Sequence, residues 1–225
     1  MRGLPPSMDA ADPGWARQDT VARALGRAAL AVGLTTDVFR PRDSRPPIVA
    51  GNRVVRLHAA FTGPDERFAR PPGYGNAVWY GLFDTAYTAP GDYLRQGDAL
   101  WFIAAQPRLM PALCVRADRV ATFVRPVTTR TVGPGGYGGV NLGDSQTLLR
   151  GWPVSILATE RPARTEAALP GDAGLAVWSV LLPALSGIVL EPADLLVDDL
   201  GRRAVVASAE LTTFGWRLVV HQAVP

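Results

Sequence analysis

The sequence predicts a mainly β protein built as two small β-barrel or sandwich-like modules with one N-terminal helix. Three observations lead there. One strand–turn–strand passage occurs twice: Asp92-Tyr93-Leu94 followed by Trp101 to Gln106, and Asp194-Leu195-Leu196 followed by Ala204 to Ala209. The 23 Gly and 20 Pro are spread between apolar runs, as short strands joined by tight turns require. Finally, 48% of the 225 residues are hydrophobic, enough for one large all-β domain or two small ones.

The elements follow in order. Residues 1–16 are rich in Pro, Gly and Asp and read as an extended arm. From Asp19 or Thr20 to about Val32, the residues Val21, Leu25, Ala28, Ala29 and Val32 recur at helical spacing. Asp19 or Thr20 suits the cap at the start and Gly33 the stop. This apolar face is largely Ala, so the helix must pack closely on a neighbour, either its own barrel or another subunit. Pro41, Pro46 and Pro47 mark residues 34–53 as a linker or edge segment.

Val54 to Phe61 alternates as a half-exposed strand, and Val78 to Phe83 reads as an aromatic one. Between them lies a turn-rich loop, Arg67 to Gly75. In each repeat a polar turn (Arg95 to Asp98, or Asp198 to Arg203) joins two strands. A third strand follows, Ala112 to Val115 or Trp216 to Val220, and Val120 to Val124 closes the first module. The Gly-rich run from Gly133 to Asp144 marks the boundary. The expected organisation is therefore an arm, helix and linker over 1–53, a first module over 54–132, a Gly-rich loop over 133–144 and a second module over 145–225.

Ala173 to Leu190 carries no charge, but Pro183, Ser186 and Gly187 break it. It reads as two buried strands, Leu175 to Leu182 and Ile188 to Leu190, rather than a membrane span. All 23 basic residues are Arg, and they interleave with Asp and Glu. A nucleic-acid footprint needs a one-sided basic patch, so no specific nucleic acid is expected. The single Cys114 excludes an intrachain disulfide framework.

Catalytic signals are sparse. His58 and His221 sit in alternating strand patterns without an acid or nucleophile at a recognisable spacing. The Gly-rich loop lacks the Lys that a phosphate-binding loop needs. Asp198-Asp199 fits a hairpin turn better than a carboxylate pair or cation site. No catalytic, cofactor-binding or metal-ligating residue is assigned. The candidate partner-contact residues are Tyr74, Trp79, Tyr137 and Asn141, aromatic or loop positions suited to interface anchoring.

The tail from Asp194 to Arg203, through Glu210-Leu211-Thr212 to Gly215 and Val220, resembles the closing β-hairpins of neck or connector proteins in tailed phages and prophages. Arg67 to Pro126 is similar, more loosely, to other prophage virion proteins. The resemblance implies a non-enzymatic virion protein near the portal, neck or tail, made in the bacterial host cytoplasm. Its expected partners are other portal, neck, capsid or tail subunits in a homo-oligomeric ring or multimer, with no cofactor and no membrane. Two other readings stand beside it: a tail-fibre or receptor-contact module, and a β-barrel ligand-binding protein or hydrolase with its pocket near 133–144.

Overall fold

The computed structural model describes residues 13–63, 77–126, 145–158 and 176–223. Among these residues one α-helix, α1 (Pro13–Val32), precedes twelve strands. The first six are β1 (Leu34–Phe39), β2 (Arg53–Thr62), β3 (Val78–Leu82), β4 (Tyr93–Gln96), β5 (Ala99–Ala105) and β6 (Ala112–Ala117). They close into an antiparallel barrel in the order β1-β2-β3-β6-β5-β4, with β1 sealing against β4. The other six are β7 (Arg119–Arg125), β8 (Gln146–Ala158), β9 (Val177–Leu182), β10 (Leu195–Asp198), β11 (Arg203–Thr212) and β12 (Gly215–Gln222). They close in the order β7-β8-β9-β12-β11-β10, which is the same topology, with β7 sealing against β10. Closure leaves neither sheet a free edge.

The repeat seen in the sequence thus has a structural meaning. Asp92 and Asp194 stand immediately before β4 and β10, the same place in each barrel. Arg40, just after β1, donates from Nε and Nη2 to the two carboxylate oxygens of Asp92 at 2.8 and 2.7 Å. Arg125, at the end of β7, does the same to Asp194 at 2.7 and 2.9 Å. Both carboxylates are buried, and each also accepts a backbone N–H three residues upstream, from Ala89 or Glu191, at 2.8 Å. A bidentate guanidinium is the geometry that best satisfies a buried carboxylate. Each pair ties the strand entering the barrel to the turn that opens its second hairpin.

Those turns also match. In Ala89-Pro90-Gly91-Asp92 the N–H of Asp92 bonds back to the Ala89 carbonyl at 3.1 Å; in Glu191-Pro192-Ala193-Asp194 the equivalent bond is 3.2 Å. Pro presets the second position, and the third needs positive φ. Gly91 meets that need at φ 91°, whereas Ala193 is held at 74°. The left-handed conformation costs a residue with a Cβ roughly 1–2 kcal/mol. Ala193→Gly is therefore expected to raise the urea midpoint, and Gly91→Ala to lower it. Only ordinary contact awaits a Cβ at Gly91, 3.8 Å from the Ala184 carbonyl, so the difference reports backbone conformation rather than collision.

Four expectations need correction. The module boundary lies at Asp118, not in 133–144, because β7 pairs with β8 and β10 of the second barrel. The segment 34–53 is not all linker: β1 occupies its start, since Thr36, Val38 and Phe39 are buried before the first of the prolines at 41. Ile188 to Leu190 forms no strand; it leads into the Glu191 turn and anchors it through buried Leu190. Helix α1 also extends N-terminally of Asp19, with Pro13 in the first turn, where its missing N–H costs nothing. The loop Arg67 to Gly75 lies outside the described residues.

Core residues divide by barrel face. Val38, Ala59, Leu94, Trp101, Ile103 and Cys114 fill the first barrel, and Phe61 stacks on Trp101 at 3.9 Å. Burial pushes the Cys114 thiol pKa up, so this group stays protonated and inert. On the outer face of the same barrel, Phe39, Tyr93, Phe102 and Val115 stand opposite one another across β1, β4, β5 and β6. All four are buried, because they belong to the core of the second barrel, against Trp152, Val154, Leu182 and their neighbours.

Candidate contact surfaces

The contact between the barrels shows how this chain covers the end of a barrel. Tyr93 and Trp152 meet edge to face at 5.9 Å, and the Tyr93 hydroxyl donates to the Pro153 carbonyl at 2.8 Å. Desolvation raises the pKa of that hydroxyl well above its ordinary value, so it acts as a donor across the physiological range. Trp152 Nε1 donates to the Ser44 carbonyl at 2.9 Å, from the β1–β2 connection. Asp118 accepts the Ile156 N–H at 2.8 Å, fixing the crossover between barrels.

At the corresponding end of the first barrel lies α1. It approaches through small residues, Ala22 and Ala29, which are buried; of the face expected from the sequence, Ala28 and Val32 are exposed instead. A Cβ at Gly26 would sit 3.0 Å from the Asp84 Cβ, and one at Gly33 would sit 2.6 Å from the Ala59 carbonyl. Near its start, Gln18 Oε1 accepts the N–H of Leu109, a residue held at φ 61° in the β5–β6 connection.

Such a thin helix leaves the barrel end only partly covered. An open groove of about 620 Å³ runs between α1 and β2, lined by Arg23, Arg27 and Leu30 from the helix, Leu57 and His58 from β2, and Tyr87. Leu30 is 64% exposed and Tyr87 63%, so large apolar surface faces solvent beside the arginines. Next to the groove, Arg56 donates to Asp37 at 2.7 Å, with Arg95 and Arg53 3.7 and 3.8 Å from the same carboxylate. Hydrogen bonding from Arg56 lowers the Asp37 pKa, and the other guanidinium charges act in the same direction. This face carries a net positive charge with an apolar floor, a combination suited to contact.

The residues singled out in the sequence are dispersed. Trp79 on β3 is half-buried against the first barrel core, opposite Cys114. Tyr74, Tyr137 and Asn141, with the whole of 133–144, lie outside the described residues. His58 is exposed on β2 of one barrel and His221 on β12 of the other. Among the described residues neither imidazole has a hydrogen-bonding partner, and no cluster of His, Cys, Asp and Glu could hold a metal ion. Asp198 is used by its own turn, accepting from the Leu200 and Arg202 N–H groups and from Arg202 Nε. No described helix is long and apolar enough to cross a membrane.

Arg40 and Arg125 had no sequence signal of their own: they precede their Asp partners by 52 and 69 residues, so no shared spacing marks them. No protein-family model matches the chain, nor does any curated protein or solved structure.

Proposed function

We propose that this chain is a non-enzymatic structural component of a tailed-phage virion, assembling at the head–tail neck, connector or tail as a ring or multimer with other virion subunits. The observation that carries this reading is the use of one barrel's outer aromatic row to close the end of the next. Phe39, Tyr93 and Phe102 are large apolar residues on an outer barrel face, and their burial serves docking. A protein whose barrels dock side to end, with a second such end left open and basic, has the parts a subunit of an assembly needs.

The groove beside α1 favours one rival, a ligand-binding protein or hydrolase, because His58 and Asp84 both line it. That rival needs a nucleophile and an oriented base. Thr20, the aliphatic hydroxyl on the groove wall, instead donates to the Ala16 carbonyl of its own helix at 2.8 Å.

Mass spectrometry of particles purified from a host carrying the gene separates the two. The structural reading expects the chain in the particle at a fixed ratio to the portal subunit. A chain left in the soluble fraction as a monomer that cleaves ester probes, with activity lost in His58→Ala, would establish the enzyme.

A further inference from the structure

Register carries the repeat further than the Asp turns. In the first barrel the outer row reads Phe39, Tyr93, Phe102, Val115, Val78, each directly opposite the next. In the second barrel the same positions read Val124, Leu195, Val205, His221, Val177, again each opposite the next. The first row is the docking surface of the barrel–barrel contact. The second is its counterpart, four apolar residues and one imidazole on an outer face, and there the apolar residues are only partly buried and His221 is exposed.

The receiving side repeats as well. Aligned through Arg40 and Arg125, Val55, Leu57 and Ala59 of β2 correspond to Leu149, Trp152 and Val154 of β8. The β8 residues are 0% exposed, and the first barrel reaches them through the Tyr93–Trp152 contact. In β2, Val55 and Leu57 remain partly exposed and form the floor of the α1 groove. Among the described residues there are therefore one satisfied row-to-end contact, one row on the second barrel that is only partly buried and one incompletely covered end on the first.

We infer that the Val124–Leu195–Val205–His221–Val177 stripe of one copy docks on the α1–β2 groove of a second copy, repeating between chains the contact that joins the barrels within a chain. This rests on the proposed structural role and names its interface. The occupant is a second copy because the established interface already pairs this kind of row with this kind of end. Stripe and groove lie on different barrels, so each copy uses both once and the contact is head to tail, which builds rings or filaments rather than isolated two-fold dimers.

Sedimentation of the full chain over a concentration series tests this, with Leu195→Arg in the stripe and Leu30→Arg in the groove. Leu30 is mostly exposed, and His221→Arg supplies a second, exposed stripe variant should Leu195→Arg disturb folding. The expected result is concentration-dependent assembly of the wild type, weakened roughly tenfold or more by each variant, as for central interface residues. Mixing a stripe variant with Leu30→Arg should restore one intact contact and give dimers but nothing larger. Assembly of every variant like the wild type would overturn the interface while leaving the structural role standing. A wild type monomeric at all concentrations would also overturn it, and the presence or absence of the chain in particles then decides the structural role separately.

Discussion

Trp152→Ala should cost the protein about 3–5 kcal/mol, the usual loss for truncating a fully buried large aromatic. The side chain is 0% exposed and touches three things at once: the core of its own barrel, the Tyr93 ring, and the Ser44 carbonyl of the first barrel's connection. Its removal opens a cavity and leaves that carbonyl without its indole donor. Because Trp152 spans the junction, the loss should also uncouple the barrels. Urea unfolding followed by aromatic fluorescence and by far-ultraviolet circular dichroism should coincide in the wild type and separate in the variant. A loss below about 1 kcal/mol, typical of a surface site, would show that the barrels are not welded at this residue.

The second large effect is expected at Arg125. Asp194 is 1% exposed and accepts two bonds from the guanidinium and one from the Glu191 N–H. Arg125→Met strands a buried carboxylate with a single donor, and breaking a buried pair in this way costs about 3–5 kcal/mol. Adding Asp194→Asn to that variant removes the charge while keeping an acceptor for Glu191, and should recover most of the loss. The corresponding Arg40→Met should be milder, since the Arg40 side chain is 46% exposed and part of its interaction with Asp92 is screened by water. Chemical denaturation of the three single and double variants checks the order, and equal losses at Arg40 and Arg125 would contradict it.

The overall class was legible because each barrel carries the same short-range grammar. Pro-x-Asp before an apolar pair sets a turn and a strand start, and it occurs at Pro90 and Pro192 in equivalent places. The uninterrupted Leu100 to Ala104 run also carried information: it is apolar on both faces because Trp101 and Ile103 point into the barrel while Phe102 and Ala104 meet the second one. What misled was composition. The Gly-rich run 133–144 looks like a boundary, yet the strands flanking it, β7 and β8, pair with each other. Likewise the prolines after Phe39 hid β1, whose partners β2 and β4 are set by register rather than local preference.

The site was harder to read than the fold. Alternation separates the two faces of a strand but does not say which outer face another barrel covers. Trp79, an aromatic chosen as a contact candidate, faces the first barrel core. Tyr93 and Phe102, which resemble ordinary core residues, make the contact between barrels. Leu195 and Val205 acquire meaning only when their register is laid beside that of Tyr93 and Phe102.

Cryo-imaging of assembled particles bears most directly on the idea that these barrels exist to seat upon one another. Density should hold twice as many barrels as chains, each barrel placed on the next by nearly the same rotation within and between chains. Copies that never touch, with the Leu195–Val205 stripe facing open solvent in the finished particle, would contradict it.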